Sequence, residues 1–186
     1  YKRQEMTDAL VLDLVEKKLV TDQLVLDVGY DIENLADPER RKKYRGEVKA
    51  DRYGRVVPKH AHGTANLKKK TSSTSQIMEA VLELYDRIVD ENLLIRRVYV
   101  TANHALDEQS ISEETEFTQM DLFTDYQAVA EEQEAEQEKR EKERRLQEAM
   151  LSVKKKYGKN AMLKGTNLQE GATMQERNNQ IGGHHV

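Results

Sequence analysis

Lys59, His60, His62, Lys68, Lys69 and Lys70 lead directly into four hydroxyl residues, Thr71, Ser72, Ser73 and Thr74. An apolar stripe at helical spacing follows. Cations and hydroxyls ahead of a helix N-terminus suit an anion, because free backbone N–H groups and the helix dipole add to the side-chain charge. Arg96 and Arg97 place two guanidinium forks side by side in a later stretch of alternating apolar residues. The natural ligand for such a set is phosphate, and a surface of this kind holds a duplex by its backbone without reading bases. The charge is concentrated: from Arg40 to Lys70 there are 12 Lys or Arg against Glu47 and Asp51.

A second constellation has different chemistry. The two phenylalanines of the chain, Phe117 and Phe123, lie in an acidic polar run where nothing nearby could bury them. Gln119, Met120, Asp121, Leu122 and Phe123 form a compact peptide anchor: an amide for a pocket rim, then two adjacent apolar side chains whose burial is worth about 1.5 to 3 kcal/mol each. Phe117 is at most an auxiliary contact. From Asp107 to Glu148 there are 15 acidic residues against five basic ones, so this region is repelled by the polyanion that the basic block attracts.

No catalytic set is visible. A Gly-rich phosphate loop, a Gly-x-Ser-x-Gly motif and a Cys nucleophile are all missing, and the carboxylates stand in solvated runs. His60 and His62 lack a third ligand close by, and His184 and His185 sit at a glycine-rich end, so neither metal nor other cofactor is expected.

The elements that must position these residues can be read from periodicity. Apolar positions 6, 9, 10, 14 and 15 predict a helix over Met6 to Lys18, and Leu24, Leu26, Val28 and Tyr30 alternate as a strand. Residues 31–62 read as a basic insertion in which Asp51 to Arg55 could turn a hairpin. Gly63 to Lys69 reads as a short strand. Thr71 to Thr74 cap a helix whose stripe is Ile77, Val81, Leu84, Tyr85 and Ile88. Leu94 to Ala105 alternates again, with Val98, Val100 and Ala102 on one side and Arg97, Tyr99, Thr101 and Asn103 on the other.

The fold class that follows is α+β: a mostly antiparallel sheet covered by two helices over residues 1–106. Residues 107–126 form a linker carrying the anchor peptide. Residues 127–157 form a charged helix, read as a spacer, with only Leu146, Met150 and Val153 as a docking face. Residues 158–186 read as a loose tail. With 37% hydrophobic and 34% charged residues and a mean hydropathy of -0.85, a compact part coexists with a long solvated one. No apolar run could span a bilayer, and zero Cys fits a reducing cytoplasm. The chain opens on helix-like sequence at Tyr1, as a piece of a longer protein would.

The order helix, strand, basic excursion, strand, Thr/Ser cap, helix, and then Leu94-Ile95-Arg96-Arg97-Val98-Tyr99-Val100, resembles the little finger domain of Y-family, lesion-bypass DNA polymerases. The stretch from Lys155 to Val186 is similar to the C-terminal tail of the UmuC-like members of Gram-positive bacteria. The resemblance implies a monomeric DNA-holding fragment whose parent polymerase, with Mg2+ in a palm domain absent here, does the chemistry. It implies that Lys68 to Thr74, Arg96 and Arg97 meet the backbone of damaged or primed duplex DNA, a set to which the charge of the basic block adds Lys59 and His62. It also implies that Gln119 to Phe123 binds the ring-shaped sliding clamp, and that a further strand precedes Tyr1. The rival expectation is a noncatalytic RNA- or ribosome-associated module with a charged helical tail.

Overall fold

The computed structural model describes residues 2–111, 126–181 and 184–185. Helix α1 (Lys2–Glu16) runs into the long strand β1 (Leu19–Tyr30) through Lys18, whose φ of 55° makes the reversal. Two short helices, α2 (Glu33–Ala36) and α3 (Pro38–Lys43), and a hairpin of β2 (Val48–Ala50) and β3 (Val56–Pro58) make up the excursion. Strand β4 (Ala61–Thr71), helix α4 (Thr74–Ile88), strand β5 (Ile95–Asn103) and the two-residue β6 (Leu106–Asp107) complete the sheet domain. Helix α5 (Tyr126–Tyr157), helix α6 (Met174–Asn178) and a small pair, β7 (Gln180–Ile181) and β8 (His184–His185), follow.

The sheet is antiparallel with order β4-β1-β5, and β6 pairs with the start of β1. The alternation in β1 decides what lies beneath it. Leu24, Leu26 and Val28 are fully buried, and helices α1 and α4 cover that one face. Val11, Leu14 and Val15 of α1 meet Leu24, Ile77 and Val81 at one end of the core. Leu26, Val28, Tyr30, Leu84, Val89 and Val98 fill the other. Each of these side chains contributes on the order of 1.5 to 3 kcal/mol by leaving water. Helix α4 rides close on β4: a methyl group at Gly63 would stand 2.9 Å from Leu84 Cδ1 and 3.0 Å from Ile88 Cγ2.

The buried face of α1 holds Leu14 and Val15, as expected, with Leu10 partly buried against the core. Thr7, Val11, Leu14 and Val15 are buried while Ala9 is exposed. Glu5, only 1% exposed, is turned toward the C-terminal tail. Its carboxylate accepts hydrogen bonds from Asn167 Nδ2 (3.1 Å), the Thr173 N–H (2.9 Å) and hydroxyl (3.1 Å), and the Met174 N–H (3.0 Å). Burial pushes this carboxyl's pKa up, but the four donors together outweigh it and hold the group below the usual glutamate value. Lys164 adds an ion pair to Asp8 at 2.6 Å. The tail through Asn178 is therefore fastened to α1, which corrects the expectation of a loose end.

Helix α5 is not a bare spacer either. Gln147 is buried and donates from Nε2 to the Ser72 carbonyl (3.0 Å) and the Thr74 hydroxyl (2.9 Å), and Leu151 packs against the core. Leu146, expected to dock, is 60% exposed. Gly158, with a φ of 96°, ends the helix as its N–H reaches the Lys154 carbonyl. Among the described residues no helix is long and apolar enough to cross a membrane.

Candidate nucleic-acid interface

Because both helices lie on one face of the sheet, the other face is open. The pairing aligns its side chains in cross-strand rows: Gln23 with Asn66 and Asn103, Val25 with Thr64 and Thr101, Asp27 with His62 and Tyr99. The row at one end is locked by hydrogen bonds from Gln23 to Asn66 (2.9 Å) and from Asn103 to Gln23 (3.0 Å). This face is polar, and it becomes cationic toward the start of β5.

There the register slips. Gly29 pairs with Arg97 and Tyr30 with Ile95, so Arg96 is an extra residue in a bulge. A bulge re-aims side chains, and here Arg96 and Arg97 are both exposed although they are adjacent in a strand. Gly29 lets Arg97 lie across the β1 backbone. A Cβ at that position would stand 3.1 Å from Arg97 Cγ, 3.2 Å from its Nε and 3.6 Å from His60 Cε1. His60 and His62 approach the carboxylate of Asp27 at 3.4 and 3.6 Å.

The excursion supplies the opposite wall. Its root is fixed by Asn34, fully buried, whose Nδ2 donates to the Asp31 and Leu94 carbonyls (both 2.9 Å) while its Oδ1 accepts from the Leu94 N–H (2.8 Å). Buried Val57 and Pro58 anchor β3. The hairpin is thereby held beside the start of β5. Between them opens a cleft of roughly 480 Å³ whose lining includes Lys49, Arg52, Lys59, His60, His62 and Arg97. A smaller cleft of roughly 160 Å³, next to it, brings in Tyr53, Arg55 and Arg96.

The turn of the hairpin is organised by one carboxylate. Asp51 accepts from the Tyr53 N–H (2.9 Å), the Arg55 N–H (2.9 Å) and Arg55 Nε (2.8 Å). These bonds, that of the Arg55 side chain first, hold the Asp51 pKa down to about 2 in spite of partial desolvation. Gly54, with a φ of 76°, takes the left-handed position that a side chain would strain.

The expected phosphate ligands thus fall into two groups. Lys59, His62, Arg96 and Arg97 gather around the clefts, although Lys59 also pairs with Glu47 at 2.6 Å. Lys68, Lys69 and Lys70 lie at the far end of β4, an 11-residue strand whose ends are about 30 Å apart at the usual rise. Lys70 is 3.5 Å from Asp22, which also bonds His104 at 2.9 Å.

Thr71 to Thr74 are engaged within the protein. The Thr71 hydroxyl accepts from the Ser73 N–H at 3.0 Å, and Ser73 caps α4 by accepting from the Gln76 N–H at 3.4 Å. Ser72 is 8% exposed beneath α5, where Arg144 reaches its hydroxyl at 3.3 Å. The anion at the N-terminus of α4 is the chain's own Glu143, which accepts from the Ser73 hydroxyl (2.6 Å) and the Ser75 N–H (2.8 Å).

Gln119 to Phe123 lie outside the described residues. The sequence reading left out Arg52, Tyr53 and Lys49 as site residues. The signal that could have found them is an aromatic flanked by arginines, Arg52-Tyr53-Gly54-Arg55, at the tip of a hairpin. Among the described residues no three His, Asp or Glu side chains converge as metal ligands. No family model, no curated protein and no solved structure matches the chain.

Proposed function

We propose that this chain is a nucleic-acid-holding module of the little-finger type, the C-terminal part of a Y-family lesion-bypass polymerase, and that its acidic linker tethers the enzyme to the sliding clamp. The observation that carries the reading is the one-sided sheet: helices cover one face, and the bare polar face ends in a cationic cleft around Arg97. A duplex laid along β4 from that cleft to Lys68–Lys70 would cover about 30 Å, a little under one helical turn of about 34 Å. Phosphates at both ends of that span would meet cations, while the middle rows offer hydroxyls and amides. Contacts of this kind position a duplex without selecting its sequence, as a polymerase that must pass any template requires. Weak backbone contacts gain strength from a tether through effective concentration.

The test is a salt titration of duplex DNA binding. Affinity falls steeply with salt, and Arg96→Ala with Arg97→Ala lowers both the affinity and the slope of log K against log salt by about 1 to 2. A slope that the double substitution leaves unchanged takes those residues out of the interface and the reading with them.

A further inference from the structure

The excursion is larger than a sheet domain needs, and its tip has an unusual surface. Tyr53 is 78% exposed at the apex of the β2–β3 hairpin, with no core role to explain a large aromatic there. Its backbone is held by Asp51 through the turn, and the guanidinium of Arg55 lies 5.0 Å from the ring centroid while bonding the same aspartate at 2.6 Å. The ring is thus carried on a rigid support instead of a floppy loop, which lowers the entropy lost when it makes a contact. Directly below it, the smaller cleft presents Arg52, Arg96, Arg97 and His60. Among the described residues no carboxylate forms an ion pair with Arg52, Arg96 or Arg97.

We propose that the hairpin tip is a single-strand contact, in which Tyr53 stacks on an unpaired nucleobase and Arg52 and Arg96 hold the phosphates that flank it. This rests on the nucleic-acid reading above and assigns the excursion a part in it. A base in the middle of a duplex has both faces stacked on its neighbours, so an exposed ring can stack only on an unpaired base or on the end of a duplex. A cationic groove with an aromatic platform is the usual physical recipe for holding single strands without sequence preference. A protein partner seeking Tyr53 would have to place acidic residues in the same cleft, and it would gain nothing from the sheet face beside it.

The experiment compares a blunt duplex with the same duplex carrying a single-stranded tail, by fluorescence anisotropy at fixed salt. The chain, Tyr53→Phe, Tyr53→Ala and Arg97→Ala are each titrated. The tail is expected to tighten binding about tenfold. Tyr53→Ala removes that gain, so that the variant binds the tailed and the blunt duplex within about twofold of each other. Tyr53→Phe keeps the gain, since the ring and not the hydroxyl stacks. Arg97→Ala weakens both DNAs. If the tail brings no gain, or the gain survives Tyr53→Ala, the inference is overturned while the duplex reading stands. If neither DNA binds the unaltered chain, both fall. Tyr53 is too exposed for its loss to unfold the domain.

Discussion

The carboxylate of Glu143 accepts a hydrogen bond from the Ser73 hydroxyl at 2.6 Å, joining residues 70 apart in sequence. It fastens the charged helix α5 to the first turn of α4, where Glu143 also takes the Ser75 N–H. A negative group at that position is favoured by the helix dipole and satisfies an otherwise orphaned donor. Ser73→Ala removes both the cap and the partner of Glu143, and costs about 1 to 2 kcal/mol. Glu143→Ala costs about 1 kcal/mol. Urea denaturation of the two single variants and the double variant checks the pairing. The double variant should fall short of the sum by at least about 0.5 kcal/mol, and strict additivity denies the link.

Most of the sheet domain could be read in the sequence because its signals are local. Ile77, Val81 and Leu84 repeat at helical spacing and are buried in α4, and Leu24, Leu26 and Val28 alternate and are buried in β1. The docking of α5 and of the tail was illegible for the opposite reason. Glu143 is one acid among many in a helix-forming run, and only its meeting with Ser73 distinguishes it. Gln147 is a polar residue that a hydrophobic pattern ignores, yet it is buried. The candidate site divides in the same way. Arg96 and Arg97 were visible as a pair, whereas the nearness of Arg52 and Tyr53 depends on Asn34 locking the excursion to Leu94, a contact across 60 residues.

Glu5 makes tail docking sensitive to acid. Its folded-state pKa lies below the ordinary value because four donors from the tail outweigh the burial that raises it. The stability it supplies is therefore complete above the unfolded value of about 4.3, and is lost as pH falls through the lowered folded value. Urea midpoints measured over this acid range should drop for the unaltered chain. For Glu5→Gln they start lower at neutral pH and fall less. Equal acid sensitivity in the two proteins would show that Glu5 is not the titrating group.

Gly29 separates a binding effect from a folding effect. A Cβ there meets Arg97 Cγ at 3.1 Å, and the contacted atom belongs to a flexible, exposed side chain that can move away. Gly29→Ala should shift the thermal midpoint by only a few degrees, about 1 kcal/mol or less. It should nevertheless weaken duplex binding several-fold by displacing Arg97 from its path across β1. Gly63→Ala is the contrasting case: its Cβ would stand 2.9 Å from Leu84 in the packed core. It should cost about 1 to 3 kcal/mol with no separate effect on binding by the folded fraction.

The clamp anchor is predicted from its residues alone, and its test is independent of the sheet. Leu122 and Phe123 each bring about 1.5 to 3 kcal/mol of apolar burial to a pocket, so Leu122→Ala with Phe123→Ala should weaken clamp binding at least about a hundredfold. The substitutions leave the cations of the cleft in place, so the double variant should hold duplex DNA as before, with the same salt slope. Titration of a purified bacterial sliding clamp, followed by DNA titration of the same preparation, measures both quantities. Clamp affinity that survives the double substitution would remove the tether from the proposal. A chain that loses DNA affinity as well would show that residues 119–123 support the domain instead of reaching beyond it.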